Sequence, residues 1–178
     1  MMRKSGLVPL LPALLAVGIS SSATAEVRAV TPIGFEVSHS VLVPAPPAAV
    51  YARLLRIGSW WNGAHSYSGD AANMRLDGKA GGCFCEAIPA DGGTIEHGRV
   101  VYVQPNRQLR LRAALGPLQG EGADGALSWE LTPKGDATEI VQTYVVGGYI
   151  RGGPDKMAPL VDKVLAEQLD RLGAALAR

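Results

Sequence analysis

The sequence predicts an α+β domain in which a curved antiparallel sheet wraps around one long C-terminal helix. Three observations carry that prediction. A proline-started helical pattern follows a single alternating strand. From Met74 to Tyr149 the helical period gives way to short apolar runs between turn signals, and from Leu160 to Leu176 large aliphatic residues recur at three- and four-residue steps. A sheet with one apolar face has to cover it, and the terminal helix is the largest apolar stripe available to do so.

Taken in order, Phe35, Val37, His39, Val41 and Val43 alternate with Glu36, Ser38 and Ser40, a period of two that gives the first strand one buried face. Pro44 ends it. Pro46 and Pro47 suit the first turn of a helix, where a fixed φ helps and no amide donor is needed, and Val50, Leu54 and Ile57 then share one face. Gly58 stops this helix, and Ser59 is placed to cap a second short helix carrying Trp60 and Trp61 before a polar connection, residues 62–73. The strands expected in the meander run over residues 74–76 leading into 83–88, then 94–103, 108–115, 126–131 and 139–146. Asp91-Gly92-Gly93, Pro105-Asn106, Gly116-Pro117 and Pro133-Lys134-Gly135-Asp136 supply the turn residues between them. The closing stripe is Leu160, Val161, Val164, Leu165, Leu169, Leu172 and Leu176.

Ahead of the domain, Arg3 and Lys4 precede an almost wholly apolar run from Leu7 to Ile19, and Ala23-Thr24-Ala25 offers small residues before Glu26. This is the three-part pattern of a cleavable secretory signal, so export to the periplasm or medium is expected, with cleavage near Ala25-Glu26. The run is shorter than the roughly 20 residues that cross a bilayer, and Pro9 and Pro12 oppose a spanning helix, so no stable membrane anchor is expected after cleavage. The expected organisation is residues 1–25 as signal peptide, 26–34 as an N-terminal linker and 35–178 as one domain. The whole chain carries 17 Lys+Arg against 16 Asp+Glu; without Arg3 and Lys4 the balance is 15 against 16. A near-neutral chain with no basic run lacks the electrostatic footprint of a nucleic-acid binder.

The chain resembles the START-like, or SRPBCC, superfamily in the branch of the polyketide cyclases and the heat-shock-ATPase activator homologues. The residues that carry the resemblance are VLVPAPPAAV from Val41, Trp60-Trp61, Gly81-Gly82-Cys83-Phe84, VVYVQPNRQLRL from Val100 and WELTPKGDAT from Trp129. Their order and spacing, rather than any one of them, make the likeness. It implies a helix-grip fold, a sheet gripping the C-terminal helix around an apolar cavity, and small apolar or amphipathic ligands. It implies no shared catalytic residues, and no cofactor is expected. A chaperone-activator role does not fit a chain with an export signal.

Candidate site residues follow from the chemistry the segments bring. Gly120 to Gly125 matches a dinucleotide-binding glycine pattern, but the strand-like run from Ala126 removes the helix that such a pattern needs, so it reads as a loop. Cys83 and Cys85 flank Phe84, and alternation points both thiols to one face. Three states are open to them: free thiols, which the extended spacing favours; a disulfide, which needs a kink or bulge; and a metal or redox site, for which further ligands are lacking, so no metal site is expected. Phe84 and Glu86 share the opposite face; if Phe84 points toward the helix, Glu86 lies at or near the cavity as an acid or base, and otherwise it is a strand-end Glu reaching solvent or pairing with an Arg. Trp60, Trp61, His65 and Tyr67 crowd one segment that either clamps the core or forms a pocket mouth. His39 lies on the first strand's apolar face and reads as a hydrogen-bonded core histidine. The expected ligand-contacting set is Trp60, Trp61, Tyr67, Phe84, Glu86, Trp129, Tyr144, Leu165 and Leu169.

Three functions are compatible with this reading. The leading one is an exported protein that binds a small apolar or amphipathic molecule without transforming it. The second is a cavity enzyme, a cyclase, dehydratase or hydrolase-like catalyst using Glu86 with His65 or His97 as an acid–base pair, which requires a carboxylate and an imidazole within reach of one substrate position. The third is a protein-interaction module.

Overall fold

The computed structural model describes residues 24–177, and side chains from residue 26 onward. The expected signal peptide therefore lies outside the described residues except for its last two, Thr24 and Ala25. Eight strands form one antiparallel sheet: β1 (Thr24–Thr31), β2 (Gly34–Val43), β3 (Met74–Leu76), β4 (Cys83–Ile88), β5 (Gly93–Gln104), β6 (Gln108–Ala113), β7 (Gly122–Lys134) and β8 (Ala137–Tyr149). Their spatial order is β1-β2-β8-β7-β6-β5-β4-β3. The chain thus places its first hairpin beside its last strand. Among the described residues the α-helices are α1 (Pro47–Leu55) and α2 (Pro154–Leu176), and α2 packs mainly on β2 and β1.

The segment 26–34 is not a linker. Residues 24–31 pair with β2 from Thr24↔Ser40 to Thr31↔Gly34 and form an edge strand. Edge position explains why the pattern was weak: the side chains of Glu26 and of residues 28–31 face solvent, so alternation is not enforced. The second short helix is likewise replaced. Single 3-10 turns at Ile57–Ser59, Gly63–His65 and Ala71–Asn73 punctuate the connection, and Trp60 and Trp61 follow the first of them. α2 starts six residues before Leu160, at Pro154, where proline occupies the first turn after Gly153. The Gly120–Gly125 stretch does join strands, but its last four residues already belong to β7.

Inward-facing residues of β2–β8 with α1 and α2 make the core. Trp129, Tyr144, Leu109, Leu111, Leu127 and Ile140 are fully buried at the sheet centre, and Leu165, Leu169 and Leu172 of α2 close over the inner face. Gly125 belongs to this packing. A Cβ there would lie 2.5 Å from the Tyr144 ring, so only glycine lets the ring cross β7. At α2 the helix axis is tethered by polar contacts too, with His39 Nε2 and Asp162 Oδ1 at 2.8 Å.

Candidate functional site

β4 directs Phe84 and Glu86 to the inner face and its two cysteines the other way. Cys83 and Cys85 are joined as a disulfide, with Cα atoms 5.4 Å apart. This corrects the expectation of free thiols, and the required distortion is present: the pairing of β4 with β5 shifts register between Phe84 and Cys85. With the sulfurs joined, the nearby Glu96 carboxylate has no thiolate beside it to complete a metal site.

The same register shift builds the site. Phe84 pairs with Gly98 and Cys85 with Glu96, so His97 is an extra residue on β5 with no partner across the ladder. Gly98 accommodates the distortion, because a Cβ there would meet Ala113 and the Arg112 carbonyl at 2.7 Å. The bulge turns His97 inward against Phe84, ring centroids 4.7 Å apart, and sets its Nε2 2.9 Å from Glu86 Oε2. Glu86 is 1 % exposed and His97 4 %. The carboxylate also accepts the Tyr67 amide at 3.2 Å and the Ser68 amide at 2.5 Å, which fastens the connecting loop to β4.

Electrostatics assign the protons. Burial pushes the Glu86 carboxyl up, but hydrogen bonds from Ser68, Tyr67 and His97 outweigh it and hold the group below its ordinary value. Burial holds the His97 imidazole below its ordinary value, and the Glu86 carboxylate offsets only part of this. Near pH 7 the pair is therefore a carboxylate and a neutral imidazole, with His97 donating Nε2–H to Glu86. The Nδ1 of His97 then carries a lone pair, and it has no hydrogen-bond partner among the described residues.

His97 forms part of the wall of a cavity of about 450 Å³. The loop contributes Trp61, Ala64, His65, Ser66 and Tyr67; the segment after β6 contributes Leu115, Gly116 and Pro117; α2 contributes Met157, Leu160, Val161, Val164 and Leu165. The Tyr67 hydroxyl donates to the Gly116 carbonyl at 2.9 Å and so joins two walls at the rim. Behind the second wall, burial raises the Tyr144 hydroxyl pKa; it donates to the Ala113 carbonyl and accepts from the Leu115 amide, which fixes where that segment turns. The loop is fastened to α2 by Asn62, whose amide donates to Gln168 Oε1 at 2.7 Å and whose side chain donates to Glu167. His65 Nε2 and Glu167 Oε2 stand 3.0 Å apart.

The expected ligand-contacting residues divide accordingly. Trp61, Tyr67 and Leu165 line the cavity. Phe84 and Glu86 do not, since His97 stands in front of them. Trp60, Trp129, Tyr144 and Leu169 are packed in the core rather than at the cavity, because facing strands and helices already fill the space around them. Of the two candidate partners for Glu86, His97 is bonded to it and His65 is bonded to Glu167 instead. The stripe residues Leu160, Val161 and Val164 form a shoulder of α2 over the cavity, and Leu160 remains 62 % exposed. Sequence reasoning did not separate that shoulder from the packed face of Leu165, Leu169 and Leu172. The signal was present in the stripe's width, which exceeds what one sheet face needs. No such signal marks Ala64, Ser66 or the 115–117 wall.

A bent antiparallel sheet closed by one long helix defines the helix-grip class, and here an apolar cavity lies beside that helix. The family model for polyketide cyclase/dehydrase and lipid transport proteins matches residues 34–177, and the chain belongs to that family. No curated protein matches the chain. Among solved structures it is similar to protein CV1439 of Chromobacterium violaceum, at 16 % identity over 80 % of this chain and 97 % of that one, TM-score 0.54. It is also similar to CalU16 of Micromonospora echinospora, at 15 % identity over 86 % and 82 % of the two chains, TM-score 0.55. A third likeness is to DynU16, described as a putative protein in the dynemicin biosynthetic locus, at 20 % identity over 79 % and 46 %, TM-score 0.57. At these identities the likeness is one of fold.

Proposed function

We propose that the chain is an exported protein that holds one small apolar or amphipathic molecule between its sheet and α2. The observation that carries this reading is the cavity itself: about 450 Å³, within the range of small-molecule sites, and walled largely by apolar side chains from four separate segments. The family's description, which includes lipid transport, agrees with it. The test is native mass spectrometry of protein purified from its own compartment, alongside uptake of a fluorescent apolar probe by the emptied protein. A bound organic species, and saturable probe uptake at one per chain, are expected. Absence of both would sink the reading.

A second reading, the cavity enzyme, is favoured by one specific observation, the Glu86–His97 contact of 2.9 Å with the imidazole on the cavity wall. In that reading His97 Nδ1 is the base and Glu86 stabilises the imidazolium that forms. Incubation of the co-purified molecule with fresh protein separates the two: a His97-dependent change in its mass or in its solvent-exchanged hydrogens belongs to the enzyme, and unchanged release belongs to the binder.

A further inference from the structure

The polar side chains of the cavity wall leave an asymmetric set of vacancies. Trp61 Nε1 donates to the His65 carbonyl at 3.1 Å, Ser66 Oγ to the Gly63 carbonyl at 2.8 Å, and Tyr67 Oη to the Gly116 carbonyl at 2.9 Å. Each of these side-chain donors is thus committed to the protein. The two histidines remain. His97 Nε2 is held by Glu86 and His65 Nε2 by Glu167, so each ring turns Nε2 to a carboxylate, and the neutral His97 keeps a lone pair on Nδ1. His97 is the deep one of the two, and His65 lies nearer solvent with its side chain one-third exposed. Among the described residues no Lys or Arg lines the cavity, and the charges immediately behind both imidazoles are negative.

We infer that the cavity selects a neutral apolar molecule bearing a hydrogen-bond donor, an alcohol, phenol or N–H group seated on His97 Nδ1, and that it rejects carboxylates. This rests on the ligand-binding reading above and deepens it. The physical basis is a mismatch. A lone pair in an apolar wall rewards a donor, while a ligand carboxylate would be desolvated beside another acceptor with Glu86 behind it and no cation to compensate. A long-chain acid, the simplest amphipathic lipid, would therefore be a poor ligand, whereas the corresponding alcohol would be a good one.

Three probes sharing one ring system test this at pH 7.5: naphthalene, 2-naphthol and 2-naphthoate, each titrated into the emptied full-length mature protein. Naphthalene is expected to bind, 2-naphthol about three- to tenfold more tightly, as one hydrogen bond allows, and 2-naphthoate at least tenfold more weakly than naphthalene. In His97→Phe the advantage of the naphthol should vanish while naphthalene still binds. His97→Gln keeps an amide for Glu86 and an oxygen for the ligand, and should restore part of the advantage if the phenylalanine variant folds poorly. If naphthalene and the naphthol both fail to bind, the cavity reading itself is wrong. If naphthalene binds but the naphthol gains nothing, or the naphthoate equals it, the cavity reading stands and the inference about ligand class is overturned.

Discussion

Three donors converge on Glu86, from Tyr67, Ser68 and His97, and a substitution there disturbs all of them at once. Glu86→Gln preserves size but sets an amide N–H against one of these donors, and should cost about 1–3 kcal/mol in urea unfolding, the penalty for a buried unsatisfied group. The pH dependence has a definite sign. His97 is held below its unfolded value of about 6.5, so protonation favours the unfolded chain; the stability it lends is full above that pH and declines as pH falls from there to the folded value. Glu86 is held below its unfolded value of about 4.3, so its contribution is full above that pH and is lost on further acidification. Urea midpoints should therefore fall in two stages, and His97→Gln should remove the first. A wild-type midpoint that does not move between pH 7.5 and 5 would contradict this. Beside the pair, native alkylation should find no free thiol, and two after reduction. Because the disulfide closes a loop of only three residues, the double serine variant should lose no more than about 1–2 kcal/mol.

At the scale of elements, α2 serves two neighbours along its length, and two leucines one turn apart report the division. Leu169 is wholly buried in packed core, and Leu169→Ala should cost about 2–5 kcal/mol without altering probe affinity. Leu165 is also buried but faces the cavity, where one side of its lining already lacks packing partners, so Leu165→Ala should cost less and change probe uptake. Equal losses with unchanged uptake would mean that the helix simply fills the sheet. Most of this architecture was legible in the sequence, because β2, β4–β8 and α2 all carry patterned burial. What was hidden lacks such a pattern. Solvent on one edge erased the alternation of β1, and the loop that builds much of the cavity wall is held by backbone amides on Glu86 and Gln168 rather than by periodic residues. The bulge that brings His97 to Glu86 left one faint mark, the isolated Gly98 inside a strand pattern.

For the molecule as a whole, the sheet is open, with β1 along one edge and the three-residue β3 along the other. A short edge resists pairing with other chains, and β1 carries a register shift between Val27 and Ala29 and the charges of Glu26 and Arg28, which serve the same end. Under the proposed export, Edman sequencing or mass analysis of the mature protein should place its first residue at Glu26 or within a few residues of it. β1 also lays the bond between Ala25 and Glu26 inside a paired strand, opposite His39 and Ser38. A peptidase needs its substrate segment free and extended, so sheet docking and processing compete for one stretch of backbone. If the proposed export holds, processing has to come first, and a precursor that completes its fold beforehand has hidden its own cleavage site. Slowing translocation should then accumulate a folded, uncut form resistant to the peptidase, whereas variants that weaken the β1–β2 pairing should be cut to completion.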